Sequence, residues 1–256
     1  MIERRELNYA PSLKAHLYSP PGGGKFPAVI AVHGGGWRLE NLELYRYLGP
    51  WLAERGYAVL AITYRLARPE RKVYPEAVDD VRAALKFART DAKLAIDAER
   101  IALLGDSSGA HLAALVALTE KQPVKAVIGV YGVYDMAAQW RHDQVSRPRD
   151  HIVERFLGAS LVDDRRIYFD ASPISYISAK NNATAFLVAW GTADDVVEHR
   201  TQSEAFLEAL KQAGHYARPV VLAGAPHFWI GDPLEEAGSH SAFFAHRLLR
   251  FLQAKV

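Results

Sequence analysis

The residue with the clearest chemical setting is Ser107, in the run Gly105-Asp106-Ser107-Ser108-Gly109. An apolar run at 101–104 precedes it and reads as a buried strand. An Ala/Leu-rich stretch follows it, free of Gly and Pro before Pro123, and reads as a helix. Strand, Gly-x-Ser-x-Gly, helix is the context of a nucleophile elbow, where the serine sits on a strained turn with backbone close on both sides. Glycine at 105 and 109 removes the Cβ atoms that would collide there. Such a turn also sets the serine hydroxyl at a helix N-terminus, where N–H groups and the helix dipole favour a developing negative charge.

A serine hydroxyl is a weak nucleophile at neutral pH and needs an imidazole to take its proton and a carboxylate to orient that imidazole. Both occur later in the chain, as Gly191-Thr192-Ala193-Asp194-Asp195 and Gly224-Ala225-Pro226-His227. The spacing alone leaves Asp194 and Asp195 open as the acid. His33-Gly34-Gly35-Gly36 follows another apolar run at 28–32, and its consecutive glycines expose N–H groups to an oxyanion. The Ser108 N–H, directly after the nucleophile, completes such a hole. No pair among the ten histidines shows the His-Glu-x-x-His spacing of a metal site.

The elements that must position these residues are legible as alternating apolar runs and helical stretches. Strand-like pieces at 4–9 and 14–18 lead to a turn at 20–24. Buried runs follow at 28–32, 58–64, 101–104, 124–130, 185–190 and 217–222. Helices are expected at 46–55, 76–92, 200–213 and 239–254, with Gly56 and Gly214 as stops. Continuous apolar strands alternating with helices predict an α/β fold, a mostly parallel sheet covered on both faces. The acid and base then fall at carboxyl ends of strands, beside Ser107. Residues 135–172 break the rhythm with a polar and aromatic insertion, expected to form an ordered cap with a helix near 151–157. Trp140, Phe156 and Tyr168 are expected to turn inward there, while Arg141, Arg147, Arg149, Arg165 and Arg166 stay solvated.

Composition narrows the function classes. The 31 basic and 29 acidic residues leave a charge of +2 with no run of one sign, which argues against a nucleic-acid partner. There is no cysteine, so neither a disulfide framework nor a thiolate metal site can form. No apolar stretch reaches the length of a bilayer span, and the opening residues lead into no signal-like run. The expectation is one domain over 1–256, cytoplasmic, with no membrane contact.

In order, His33-Gly34-Gly35-Gly36-Trp37, Thr63-Tyr64-Arg65, Tyr74-Pro75-Glu76, Gly105-Asp106-Ser107-Ser108-Gly109, Ala171-Ser172-Pro173 and Gly191-Thr192-Ala193-Asp194 resemble the esterase/lipase branch of the α/β-hydrolase superfamily that shares the HGGG motif. That branch comprises the hormone-sensitive-lipase-like carboxylesterases and their short relatives. The resemblance implies an α/β-hydrolase fold and a serine carboxylesterase that needs no cofactor and no metal, acting on a small-molecule ester. It places the catalytic triad on Ser107, Asp194 and His227 and the oxyanion hole on the amides of Gly35, Gly36 and Ser108. The family's Gly-Asp-Ser-Ala-Gly-Gly is here Gly-Asp-Ser-Ser-Gly-Ala, which leaves the Ser108 amide in place. An arylformamidase-like amide hydrolase shares the His-Gly-Gly-x-Trp stretch, and a silent binding protein of the same fold is a third reading. Trp37, Tyr131, Tyr134, Trp140, Phe228 and Trp229 are the candidate substrate-binding aromatics, suited to large flat groups.

Overall fold

Alternate residues of the central strands fall into two apolar cores, one on each face of a single eight-stranded sheet. The structure, a computed structural model, describes residues 2–236 and 238–256. Strand β3 (Phe26–Val32) sends Ala28, Ile30 and Val32 to one core and Val29 and Ala31 to the other. A strand covered on both faces therefore reads as an unbroken apolar run. The sheet order is β1 (Arg4–Ala10), β2 (Leu13–Tyr18), β4 (Ala58–Ile62), β3, β5 (Ile96–Asp106), β6 (Ala126–Val130), β7 (Ala185–Gly191) and β8 (Ala217–Leu222). β2 pairs antiparallel with β1 and β4, and all other pairs are parallel. This is the mostly parallel α/β sheet that the sequence predicts.

Helices α1 (Leu48–Ala53) and α8 (His240–Lys255) cover one face. Helices α2 (Glu76–Thr90), α3 (Ser108–Thr119) and α7 (Ala205–Gln212) cover the other. α3 is buried all round from Ser108 to Leu118, because the sheet lies on one side and α2 and the turn Pro173–Tyr176 lie on the other. Two helices differ from expectation. α1 is shorter than 46–55 and follows a 3-10 turn, Leu42–Tyr45. The expected helix at 200–213 opens as a π-turn, Arg200–Glu204, before α7.

Residues 135–172 hold more helix than the one piece expected. α5 (Ile152–Leu157) sits where it was predicted, flanked by α4 (Met136–Ser146) and α6 (Arg165–Asp170). α4 carries no apolar stripe, because the side it buries beyond Met136 is Gln139 and Asp143. Phe156 and Tyr168 turn inward as expected. Arg147 does not stay solvated: it is half-buried and donates to Asp143 and to the Val196 carbonyl. Among the described residues no helix is long and apolar enough to cross a membrane.

Candidate active site

Four parallel strands end at one edge of the sheet, and each delivers one part of the site. β5 ends at Asp106, Ser107 follows with φ +50 and ψ −121, and α3 begins at Ser108. That left-handed backbone at a non-glycine residue is the strain the elbow predicts. A Cβ on Gly105 would lie 2.3 Å from the Gly109 carbonyl oxygen, and one on Gly109 would lie 2.0 Å from that of Val32. Only glycine fits either place.

The loop after β8 brings His227 Nε2 to 3.1 Å from Ser107 Oγ, and the loop after β7 brings Asp194 Oδ2 to 2.7 Å from His227 Nδ1. Asp194 Oδ1 accepts from the N–H groups of Val196 and Val197 at 3.0 and 2.9 Å. The side chains of His227 and Asp194 are 2% and 1% exposed. With Nδ1–H donated to the carboxylate, Nε2 is left as acceptor for the serine proton. Asp195 is exposed.

The loop after β3 lies beside Ser107. His33 is buried, stacks on Tyr64, and lies with Nδ1 2.6 Å from the Gly34 carbonyl. Gly35 and Gly36 have φ +118 and +60, a conformation that turns their N–H groups out of any regular ladder. The amides of Gly35, Gly36 and Ser108 have no protein acceptor among the described residues. Two residues the sequence reading passed over brace this loop. The Asp106 carboxylate accepts from Gly34 N–H at 2.9 Å and from the Tyr45 hydroxyl at 2.8 Å. Arg38 forms a bidentate pair with Asp150 of the 135–172 insertion at 3.1 and 2.9 Å.

A cavity of about 130 Å³ opens on Ser107, lined by the loop at 35–39, Val133, Gln139, Asp143, Arg147, Ile152, Val197 and Phe228. Of the six aromatics expected to bind substrate, Trp37 and Phe228 line it. Tyr131 packs on the His227 ring at 4.3 Å, and Trp229 packs on Tyr131 at 5.3 Å, so these two brace that imidazole. Tyr134 stacks flat on Phe206 within the core, 4.0 Å between ring centres. Trp140 donates to Glu154 and lines a separate cavity of about 510 Å³ on the outer side of α4. Tyr134 and Trp140 are thus drawn away from Ser107 by packing partners that sequence spacing does not reveal. Among the described residues no three His, Asp or Glu side chains gather into a set that could hold a metal ion.

Three buried groups beside the site are shifted so that they titrate between about pH 4 and 7. Burial pushes the His33 and His111 imidazoles down to about 4. Burial pushes the Asp106 carboxyl up to about 7, against the pull of its Tyr45 and Gly34 donors. Between about pH 4 and 6.5 the unfolded chain binds protons that the two native imidazoles refuse, so stability rises with pH. Between about pH 4 and 7 native Asp106 holds a proton that the unfolded chain has lost, so its contribution falls with pH. Two imidazoles outweigh one carboxyl. Tm should therefore climb from pH 4.5 to about 6.5 and then dip toward pH 8. Asp106→Asn keeps an acceptor for Gly34 and should steepen the climb and abolish the dip. A melting profile unchanged by that substitution would contradict the assignment.

Comparison with known proteins adds three findings. Residues 16–210 match the BD-FAE family. The chain is 33% identical to the esterase LipQ of Mycobacterium tuberculosis over 75% of this chain and 47% of LipQ. It is 30% identical to an ethyl acetate hydrolase of Pseudomonas putida, over 88% of this chain and 74% of that protein. The chain spans about half the length of the curated mycobacterial relatives it matches. Among solved structures, the thermophilic esterase Est2 of Thermogutta terrifontis superposes with a TM-score of 0.78 at 23% identity, covering 98% of this chain and 91% of that one.

Proposed function

The chain belongs to the BD-FAE family, with an α/β-hydrolase fold, and from that premise we propose that it is a serine carboxylesterase acting on small esters. The observation that carries this reading is the chain of contacts from Asp194 through His227 to Ser107, set beside three unpaired amides. Ser107 Oγ attacks the ester carbonyl carbon and passes its proton to His227 Nε2. The amides of Gly35, Gly36 and Ser108 hold the oxyanion of the tetrahedral intermediate. His227 then protonates the leaving alkoxide, and the alcohol departs from an acyl-enzyme. Water attacks the acyl carbon, gives its proton to His227, and releases the carboxylic acid as Ser107 is reprotonated. Asp194 orients the imidazole and stabilises its charge in both halves.

The printed names of the relatives, esterase LipQ and ethyl acetate hydrolase, support esters as the substrate class. The cavity supports small ones. At about 130 Å³ it is well below the ~300–1,000 Å³ of drug-sized ligand pockets. A graded series of nitrophenyl esters tests this. We expect kcat/KM for acetate and butyrate to exceed that for octanoate by about 10-fold or more. Equal turnover of the octanoate would overturn the size preference. Faster turnover of an N-formyl arylamine than of any ester would turn the reading to an amide hydrolase. A cytoplasmic location is part of the proposal, and fractionation of producing cells tests it.

A further inference from the structure

We propose that the cap helix α4 takes part in catalysis: Gln139, His142 and Arg147 are positioning residues for Asp194, acting through the two peptide units that hold its carboxylate. The proposal rests on Asp194 being the acid of the reading above. In a planar trans peptide the C=O of one residue and the N–H of the next point in opposite directions. Between residues 195 and 196, the Val196 N–H donates to Asp194 Oδ1 at 3.0 Å. At the other end of that unit, the Asp195 carbonyl lies 3.2 Å from His142 Nε2. The next unit repeats the arrangement. The Val197 N–H donates to Asp194 Oδ1 at 2.9 Å, while the Val196 carbonyl accepts from Gln139 Nε2 and Arg147 Nη2, each at 3.1 Å. Each peptide is thus held at both ends, by the acid on one side and by α4 on the other.

Gln139 and Asp143 are four apart on one face of α4, and Arg147 follows four residues later at the cap that ends the helix. The buried Asp143 carboxylate accepts from Gln139 Nε2 at 2.8 Å and from Arg147 Nη2, which fixes both donors in place. A cation at the carbonyl end of an amide polarises it and strengthens its N–H as a donor toward the acid. The arrangement has a cost: Gln139 Oε1 and Arg147 Nε are buried without a partner. A helix that only covered the cavity would avoid that cost by presenting apolar side chains there. The polar face of α4 is therefore explained by what it grips.

Gln139 and Arg147 also line the Ser107 cavity, so direct contact with substrate is the competing account. A double-mutant cycle separates the two. In the parent enzyme, Gln139→Leu with Arg147→Met should lower kcat on nitrophenyl acetate about 10-fold or more and leave KM within about 3-fold. In an Asp194→Ala background the same pair should change kcat by less than about 2-fold, because no carboxylate is left to position. An equal fall in both backgrounds, or a fall carried by KM that varies with the acyl group, overturns the proposal. His142→Ala gives a second route if the pair fails to fold, since His142 touches the loop from the half-exposed side of α4. It should slow kcat about 3-fold with Tm unchanged, and the effect should vanish in Asp194→Ala. An Asp194→Ala enzyme as fast as the parent overturns the acid assignment and this proposal together. A slow Asp194→Ala enzyme with additive α4 effects overturns this proposal alone.

Discussion

Asp194→Asn should lower kcat on a small ester by about 10³-fold or more, while Asp195→Asn should stay within about an order of magnitude of the parent. The difference follows from which hydrogen bonds an amide can keep. The N–H groups of Val196 and Val197 both point at Oδ1 of residue 194, so an asparagine there must leave its carbonyl oxygen facing them. Its NH₂ group then faces His227 Nδ1, the position now held by the accepting oxygen Oδ2. Facing a donor, Nδ1 must accept, and the imidazole proton moves to Nε2. That tautomer cannot take the proton of Ser107. Asp195 is exposed and bonds α4 through its backbone carbonyl, so an amide side chain there changes no bond to His227. Steady-state kinetics of the two variants decides between them, and the larger loss at 195 would transfer the acid to that residue.

What the sequence made legible has a common physical basis. Apolar runs announce strands buried on both faces, and glycines announce places where backbone meets backbone. The elbow, the His33 loop and the strands that carry them are built from those two signals. Position 194 needed more, because two adjacent carboxylates have the same composition and differ only in which one the loop turns inward. The cap was hardest to read. Gln139 and Asp143 are polar residues that α4 buries, so its inward face is written in hydrogen-bond partners and leaves no apolar period. Arg147 reads as a solvated charge until Asp143 and Val196 are seen beside it. Asp106 occupies the variable place of Gly-x-Ser-x-Gly, and its hold on Gly34 spans 72 residues of chain. Tyr134 and Trp140 read as pocket aromatics because their partners, Phe206 and Glu154, lie on other helices.

Gly109→Ala should be the most damaging single methyl group in the protein. The added Cβ would lie 2.0 Å from the Val32 carbonyl oxygen and 2.6 Å from that of His33, both backbone atoms that no rotamer change can move. Relief requires β3 and α3 to separate. β3 cannot yield freely, because Val32 is paired with Gly105 on one side and with Ile62 on the other. The end of β3 also leads into Gly35 and Gly36, so any separation drags their amides away from that of Ser108, with which they form the proposed oxyanion hole. Stability and chemistry should therefore fail together. Overpacking of this kind costs about 3 kcal/mol or more, which lowers Tm by roughly 10 °C in a domain of this size. Misplacing two donors of the hole should lower kcat by about 10²-fold or more in the fraction that still folds. Gly23→Ala is the control, since a Cβ there meets nothing within 4 Å, and it should leave both quantities unchanged. Melting curves and kcat per serine titrated with an organophosphonate measure the two effects separately. A Gly109→Ala enzyme that melts with the parent would show that β3 and α3 can part without loss, and the rigid elbow would then not be what holds the oxyanion hole in register.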